Sequence, residues 1–270
     1  MSVLPDAKMV RRDGFALATY VFGAADAPWL TLSNSLGASA RMWQPQLPWL
    51  ARHFRILAYD TRGHGASDAP EGPYGFDDLV GDVVALLDHF GIARTSYIGL
   101  SLGGMTGLGL ALDHPGRVEN LVCCDARADA PGAVAQMWDD RIAAVDRGGM
   151  AAIVDSTFDR WFVPSSLNDA DLMAGMRSMF LATSPAGYKG CAAALKRLAF
   201  LERLGGMRVP TLYVGGTKDG SAAPAVMGEM AERTPGGRYI EIPDAAHISN
   251  VDNPAAFNRA VAAFLGIPSD

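Results

Sequence analysis

The chain has 270 residues, of which 49% are hydrophobic, and its formal net charge at pH 7 is −6. This length allows one large core, and the acidic balance argues against nucleic acid or an anionic membrane surface as a partner. No uncharged apolar run reaches the ~18–20 residues of a membrane span, and the N-terminal residues lack the charge pattern of a signal peptide. The three cysteines form neither a disulfide framework nor a metal-binding cluster, so we expect a cytoplasmic protein.

Short runs of β-branched and aromatic residues predict strands, and helical patterns lie between many of them. The predicted strands are Lys8–Arg12, Ala16–Tyr20, Trp29–Ser33, Phe54–Tyr59, Ser96–Leu100, Val118–Cys124, Thr211–Gly215 and Tyr239–Ile242. The clearest helix covers Phe76–Phe90, where apolar residues recur at helical spacing and Gly91 follows as a C′ residue. After an opening antiparallel hairpin, this alternation predicts an α/β fold with a mostly parallel eight-stranded sheet flanked by helices.

The strand pattern disappears over residues 126–205, where four short helices are predicted instead. Strands resume at Thr211, so this helical block is inserted between two strands of the sheet. We therefore expect an α/β core formed by residues 1–125 and 206–270, with residues 126–205 as a helical lid. Such a lid would cover the carboxyl edge of the sheet, where open α/β sheets bind ligands. The alternative is an independent helical domain, but the flanking strands need each other to complete one sheet.

The stretch Gly99-Leu100-Ser101-Leu102-Gly103 matches the G-x-S-x-G nucleophile elbow. In this motif a strand turns sharply into a helix and exposes the serine hydroxyl, and glycines flank the serine because side chains there would collide. A strand-like run precedes Ser101 and helix-compatible residues follow it, so the context fits the motif. The alternative is that the glycines only allow close packing between a helix and the sheet, which would leave Ser101 without a chemical role.

A serine is a weak nucleophile and needs a base, which is itself oriented by a third group. His247 lies just past the last predicted strand, at the sheet edge where a base for Ser101 would lie. His64 stands among glycines, and we expect it to stabilise its loop. The other histidines, expected to be surface or capping residues, are His53, His89 and His114.

The acid that orients the base should also follow a late strand. Asp219 does so, and the neighbouring glycines give its turn the freedom to direct a carboxylate inward. Asp125, which ends the strand before the lid, is the second choice. Two acids close to His247 in sequence, expected only to shape or cap its loop, are Asp244 and Asp252. The resulting chain order is Ser, Asp, His, which is the order in α/β-hydrolases.

Cleavage of an ester carbonyl also needs hydrogen-bond donors for the oxyanion, each typically worth about 3–4 kcal/mol of barrier. The backbone N–H of Leu102, directly after the serine, supplies one. The second is predicted to be the N–H of Leu36 in the loop after the third strand, with Ser35 as the next candidate. The alternative is that this loop is an ordinary Asn-Ser-Gly turn.

Several longer segments of the sequence, in addition to the elbow motif, are similar to one known family. They are LSNSLGAS, YDTRGHGASDAPEGPY, LLDHFGI, GLSLGGM, RWF, GYKGCAAAL and AAHISNVDNP. Along nearly the whole chain, the sequence resembles the 3-oxoadipate enol-lactonases of the α/β-hydrolase superfamily. This resemblance implies Ser101 as nucleophile, Asp219 as acid and His247 as base, a small ester or lactone as substrate, and no metal or organic cofactor.

The resemblance also implies a lactone with an acetate arm, and a buried carboxylate needs a cationic or hydrogen-bonding partner. The core strands offer no evident cation, so we expect the lid to supply one. The candidates for substrate binding are Arg127, Arg160 and Lys189 as cations, with Trp138 and Trp161 as apolar walls. The alternative is that these residues are solvated lid charges and core tryptophans.

Other functions remain open on the same scaffold. A general carboxylesterase, a cofactor-free perhydrolase and a C–C hydrolase would use the same serine, whereas a non-catalytic binding protein would not need a complete triad. An enzyme with an aspartate nucleophile is disfavoured because residue 101 is a serine. The favoured hypothesis is an enol-lactonase, which the resemblance would place in the β-ketoadipate pathway of aromatic catabolism. Assembly into a homo-oligomer is left open.

Overall fold

The computed structural model describes residues 4–269 and builds them around one eight-stranded sheet. The strands are β1 (Lys8–Arg12), β2 (Phe15–Gly23), β3 (Trp29–Ser33), β4 (Arg55–Tyr59), β5 (Thr95–Leu100), β6 (Val118–Cys124), β7 (Thr211–Gly216) and β8 (Arg238–Ile242). Their order across the sheet is β1-β2-β4-β3-β5-β6-β7-β8. Strand β2 pairs antiparallel with β1 and β4, and all other pairs are parallel. The predicted α/β fold with a mostly parallel eight-stranded sheet is confirmed.

Helices flank this sheet or lie in sequence between β6 and β7. They are α1 (Leu47–Leu50), α2 (Phe76–His89), α3 (Leu102–Asp113), α4 (Gly132–Gly148), α5 (Val154–Trp161), α6 (Pro164–Leu167), α7 (Ala170–Leu181), α8 (Pro185–Lys196), α9 (Pro224–Arg233), α10 (Ser249–Asp252) and α11 (Pro254–Leu265). Short 3-10 helices lie at Ala40–Trp43, Pro115–Arg117, Met150–Ile153 and Leu201–Gly206. None of the helices among residues 4–269 has both the length and the apolar character to cross a bilayer.

Helix α2 shows how the hydrophobic pattern determines the layers. Its apolar stripe, which includes Leu79, Val83 and Leu87, is buried against the sheet side, while Asp77 is exposed. Gly91 follows the helix with a φ of +64°, the left-handed conformation that ends helices and that the sequence predicts for it. Helix α3 is buried along nearly its whole length, because it packs directly on β5 and β6 behind the elbow.

The strand boundaries agree closely with the sequence pattern, with one exception. Seven strands begin and end within one residue of the prediction. Strand β2 is longer, because it continues to Gly23 instead of ending at Tyr20. Its last residues pair with β4, where Gly23 lies opposite Arg55, so pairing with a neighbour extends the strand beyond its local pattern.

Residues 126–205 form helices and contribute no strand to the sheet. Five α-helices, α4 to α8, lie within this range instead of the four predicted, and the additional one, α6, is a single turn that begins at a proline. The two ends of the segment meet at a bridge between Asp129 and Ala199, so the chain leaves and re-enters the core at one place. We therefore propose the division into a core and a helical lid that the sequence predicts. Residues 1–3 and 270, which this division assigns to the core, lie outside the described residues.

Candidate active site

Ser101 lies at the junction of β5 and α3 in the conformation of a nucleophile elbow. Its φ of +55° is in the left-handed region that serine seldom adopts, and its backbone N–H donates to Cys124 O at 2.8 Å. A Cβ at Gly99 would lie 2.2 Å from Gly103 O, and a Cβ at Gly103 would lie 2.4 Å from Ser33 O. Both positions therefore require glycine, for the steric reason that the motif predicts.

Two loops at the carboxyl edge of the sheet bring a histidine and a carboxylate to this serine. His247 follows β8, and its Nε2 lies 3.0 Å from Ser101 Oγ. Its Nδ1 lies 2.8 Å from Oδ2 of Asp219, which follows β7. All three residues are buried. The structure thus joins the three residues predicted from the sequence in one hydrogen-bonded chain.

The Asp219 carboxylate is oriented by His247 and by two backbone N–H groups. Its Oδ1 accepts from the backbone N–H groups of Ser221 at 2.7 Å and Ala222 at 3.1 Å. Burial alone would raise the pKa of Asp219, but His247 and these backbone donors outweigh burial and hold that pKa below its usual value. The carboxylate therefore stays charged and accepts from Nδ1–H of His247, which leaves Nε2 as the acceptor for the serine proton.

Of the expected oxyanion donors, Leu102 directly follows Ser101, and the candidates for the second donor line the cavity in front of it. Leu102 is the first residue of α3, where the helix supplies no partner for its N–H. Leu36 and Ser35 both line the cavity at Ser101. The Ser35 N–H is directed at Met42 Sδ, 3.3 Å away, whereas within residues 4–269 the Leu36 N–H has no hydrogen-bond acceptor. This geometry favours Leu36 over Ser35 as the second donor.

The loop that carries Leu36 is held in place by the fully buried Asn34. The amide nitrogen of Asn34 donates to Ser35 O at 2.9 Å and to Ala38 O at 2.7 Å. Its amide oxygen accepts from the backbone N–H and the hydroxyl of Thr61. One side chain therefore ties the loop both to itself and to the loop after β4, which is more than an ordinary surface turn provides.

His64 stabilises the same loop from the other side. Its Nε2 accepts from the Gly37 N–H at 2.9 Å, and its Nδ1 lies 3.0 Å from Arg62 O, to which it donates. Burial lowers the pKa of His64 to about 4, so the ring is neutral, as this pair of hydrogen bonds requires. His64 supports the residue next to Leu36 and does not line the cavity.

A cavity of about 310 Å³ opens in front of Ser101 and His247. Its walls are mostly apolar and come from the core loops and from residues 126–205. Trp138 and Trp161 both line it, as expected from the sequence. Trp161 is also held by aromatic neighbours, which are Phe158, Phe162 and Phe180. The volume is suited to a small ring with a short arm.

Arg141, on α4, faces this cavity and was not among the residues expected from the sequence. It is buried, its Nε donates to the Tyr188 hydroxyl at 2.9 Å, and its Nη2 donates to Thr157 Oγ1 at 2.5 Å. These acceptors are neutral. A signal was present in the sequence, because Arg141 follows the cavity residue Trp138 by three positions on one helix and so shares its face.

Arg160, at the end of α5, is the predicted lid cation that the structure does place in the cavity wall. Its guanidinium contacts only neutral acceptors, Ser156 O at 3.2 Å and Met137 Sδ at 3.3 Å. Burial, together with the nearby charge of Arg141, lowers the pKa of Arg160. In the part of the chain that the structure describes, neither arginine forms an ion pair with a carboxylate. The cavity therefore contains two positive charges without a negative partner.

The other two predicted cations differ from Arg160. Arg127 lines the cavity, but its Nη2 lies 3.3 Å from Asp129 Oδ1 and is already paired. Lys189 forms an ion pair with Asp146 and lies outside the cavity. The structure therefore contradicts the expectation that Lys189 contacts the substrate. Its neighbour Tyr188 faces the cavity, and successive residues of a helix point about 100° apart.

Asp125, the second choice for the acid, lines the cavity but has no hydrogen bond to His247. It is fully buried, its Oδ1 accepts from the Gly216 N–H at 2.8 Å, and its Oδ2 lies 2.5 Å from Ser249 Oγ. Of the two aspartates, Asp219 is the one in contact with His247. Among the described residues, no group of three or more His, Cys, Asp and Glu is arranged to hold a metal ion.

Comparison with known proteins identifies the family to which this fold belongs. A sequence model of the alpha/beta hydrolase fold matches residues 28–254. The 3-oxoadipate enol-lactonase 2 of Acinetobacter baylyi is 37% identical over 251 residues, which cover 93% of each chain. A protein of Variovorax paradoxus, named as a proposed carbamate hydrolase, RutD, is 33% identical and covers 91% of this chain and 94% of its own. The crystal structure of the enol-lactonase from Burkholderia xenovorans is similar with a TM-score of 0.92 and 38% identity, covering 96% of this chain and 100% of that one. The resemblance inferred from the sequence is confirmed.

Proposed function

The chain belongs to the α/β-hydrolase family and is a hydrolase of ester or lactone bonds, and we propose that its substrate is a small enol-lactone that carries a carboxylate. The hydrogen-bonded chain of Ser101, His247 and Asp219 supports the cleavage of an acyl bond. We choose an anionic substrate because Arg141 and Arg160 both line this cavity. The two enol-lactonases at 37% and 38% identity support the choice of an enol-lactone ring.

In the proposed reaction, His247 Nε2 accepts the proton of the Ser101 hydroxyl while Oγ attacks the lactone carbonyl. The charge that develops on the carbonyl oxygen is stabilised by the N–H groups of Leu36 and Leu102. The Asp219 carboxylate stabilises the imidazolium that forms. Collapse of the tetrahedral intermediate breaks the ring C–O bond, and the enolate that leaves takes the proton from His247. The resulting enol converts to a ketone, so ring opening is effectively irreversible.

The opened chain remains attached to Ser101 as an ester. A water molecule, deprotonated by His247, attacks this ester carbonyl, and the same N–H groups stabilise the second oxyanion. Collapse breaks the bond to Ser101 Oγ, which takes back its proton from His247. The product is an oxo diacid, and the triad is restored for the next turnover.

The carboxylate arm of the substrate is proposed to bind at Arg141 and Arg160. Hydrogen bonds to Tyr188 and Thr157 hold the Arg141 guanidinium in one orientation before the substrate arrives. A carboxylate at this position would offset the repulsion between the two guanidinium groups and accept charge-assisted hydrogen bonds from both. The arm would thereby direct the ring toward Ser101.

The test compares Arg141→Met and Arg160→Met on the carboxylate-bearing enol-lactone and on a neutral lactone of the same ring size. Each substitution should raise KM for the anionic substrate roughly tenfold or more and change KM for the neutral one by less than about threefold. Lys189→Met is the matched control, because Lys189 is a cation on α8, next to the cavity residue Tyr188, but lies outside the cavity. That variant should behave like the wild type on both substrates.

Three outcomes would contradict the proposal. If Arg141→Met and Arg160→Met weaken both lactones equally, or if the wild type prefers neutral esters, the protein is a general carboxylesterase. The same panel should include a carbamate, because the Variovorax paradoxus relative is named for that class. Turnover of the carbamate that exceeds turnover of the enol-lactone would overturn the choice of substrate while keeping the proposed triad.

A further inference from the structure

Asp125 is a buried carboxyl group in the cavity wall to which the proposed reaction assigns no step. It follows β6 directly, it is fully buried, and its φ of +45° is rare for aspartate. A charged carboxylate in such a place needs a cation. Its side chain is hydrogen-bonded by the Gly216 N–H and by the hydroxyl and backbone N–H of Ser249, all of which are neutral.

The two partners of Asp125 belong to the two segments that carry the acid and the base. Gly216 is the last residue of β7, three positions before Asp219, and its N lies 2.8 Å from Asp125 Oδ1. Ser249 follows His247 by two positions, and its Oγ lies 2.5 Å from Asp125 Oδ2. One side chain at the end of β6 therefore links the strand behind the acid to the loop of the base.

We propose that Asp125 is a positioning residue, which fixes His247 relative to Asp219 by hydrogen bonding and does not act as a second charged acid. The proposal rests on the catalytic roles proposed for Ser101, His247 and Asp219. Its consequence is that the hydrogen-bonding pattern of Asp125 matters for the rate, whereas its negative charge does not.

The surroundings of Asp125 support a neutral carboxyl group. Burial and the nearby charge of Asp219 raise the pKa of Asp125 well above its usual value. The other titratable groups close to it, besides His247, are the thiols of Cys123 and Cys124 and the phenol of Tyr239. Burial raises the pKa of each of these three groups as well, so they are neutral and supply no positive charge.

Asparagine can reproduce the pattern that a neutral Asp125 makes. Its amide oxygen would accept from the Gly216 N–H, and its amide nitrogen would donate to Ser249 Oγ, which can accept. Alanine would break both links and leave the Gly216 N–H without its acceptor. Asp125→Asn and Asp125→Ala therefore separate the role of hydrogen bonding from the role of charge.

The experiment measures kcat and KM of Asp125→Asn, Asp125→Ala and Ser249→Ala on an activated ester, with active sites counted by fluorophosphonate labelling. Asp125→Asn should keep kcat per labelled site within about threefold of the wild type, whereas Asp125→Ala should lower it roughly tenfold or more. Ser249→Ala should lower it by a smaller factor. KM should change little in all three, because the links from Asp125 to Gly216 and Ser249 are proposed to position His247 and not to bind the ester.

A role in stability alone gives a different result, because it lowers the labelled fraction or the melting temperature but leaves kcat per labelled site unchanged. That result in both Asp125→Ala and Ser249→Ala would overturn the proposal. So would a loss in Asp125→Asn as large as that in Asp219→Asn, which would make Asp125 a charged acid. If Asp125→Ala does not fold, Ser249→Ala decides, since it removes the link to the base loop and keeps the bond to Gly216.

Ser101→Ala separates the failure of this proposal from the failure of the proposed function. If Ser101→Ala retains turnover, the catalytic roles are wrong and the Asp125 proposal falls with them. If Ser101→Ala is inactive while Asp125→Ala and Ser249→Ala keep the wild-type kcat, only the positioning role is wrong.

Discussion

The core and the lid each form one wall of the cavity, and the polar side chains of the two walls differ in their hydrogen-bond partners. In the core wall, formed by residues 33–38, 101–102 and 245–252, the loops are tied down by buried side chains such as Asn34 and His64, each with two or more hydrogen bonds. In the lid wall, formed by α4 and α5, Arg141 and Arg160 face the cavity with only neutral partners. The core loops are therefore held in place without a ligand, whereas the lid wall lacks a negative charge.

This difference separates the two tasks of the site. Groups that must stabilise a transition state act best when they are already in place, because no energy is then lost in reorganising them during the reaction. The core wall even holds Ser101 in a backbone conformation that typically costs about 1–3 kcal/mol. A recognition group gains specificity if its best partner is the substrate itself. Substitutions confined to one wall at a time test whether the two walls differ in this way.

The largest effect is expected from Ser101→Ala, which removes the proposed nucleophile from the core wall. The rate should fall by about 10⁴-fold or more, because no covalent route remains. The fold and the binding of a carboxylate-bearing product should be nearly unchanged, since the substitution removes little packing. Steady-state kinetics on an activated ester and a binding titration with the product measure the two quantities. Hydrolysis near the wild-type rate would show that Ser101 is not the nucleophile.

The next effect is expected from Asp219→Asn, which keeps the shape of the core wall but removes the charge that orients His247. The rate should fall about 10³–10⁴-fold with little change in KM, because an amide at this position favours the wrong tautomer of the histidine. The measurement is kcat and KM beside those of Asp125→Asn. The reverse ranking of these two variants would move the acid to the end of β6.

A pair of substitutions, one in each wall, tests the walls through the free energy of unfolding instead of the rate. Asn34→Ala should lower the free energy of unfolding by about 3–4 kcal/mol, because it removes hydrogen bonds to four buried groups. Arg160→Met should leave that free energy within about 1 kcal/mol of the wild type, since it removes a charge that has no negative partner. Urea unfolding of both variants measures the difference. Similar losses of unfolding free energy in the two variants would mean that the polar groups of the lid wall stabilise the fold as much as those of the core wall.

The two walls also differ in how well their residues could be predicted from the sequence. In the core, the positions of Ser101, Asp219 and His247 follow from the strands that precede them, because parallel strands end at one edge of the sheet. The sequence motif also specifies the glycines of the elbow. The sequence ranked Leu36 above Ser35 as the second donor but gave no physical reason, since the difference depends on a contact between the Ser35 N–H and Met42 Sδ that only the folded loop shows.

In the lid, the orientation of each helix depends on packing that the sequence pattern does not specify. Helix α4 packs mainly against α8, and this contact decides that Arg141 and Tyr188 face inward while Lys189 faces outward. The sequence predicted Arg160 and both tryptophans in the cavity, but it included Lys189 and missed Arg141. The spacing from Trp138 to Arg141 was the one local signal that a shared face provides.

The smallest expected effect is a dependence of stability on pH, which arises because His64 supports the loop that carries Leu36. The unfolded chain protonates this histidine near its ordinary pKa of about 6.5, whereas the folded protein protonates it only near 4. Between these values the unfolded state binds more protons, so the contribution of His64 to stability is complete above about pH 6.5 and is lost as the pH falls toward 4. A shift of this size corresponds to about 3 kcal/mol over the window.

His64→Gln is the matched variant, because its amide can accept from Gly37 and donate to Arg62 but does not titrate. Buried carboxyl groups such as Asp60 and Asp82 are present in both proteins, so their effects cancel in the difference. Urea unfolding from pH 7 to pH 4 should show the wild type losing stability relative to His64→Gln, and parallel curves would show that the loop does not depend on a neutral imidazole.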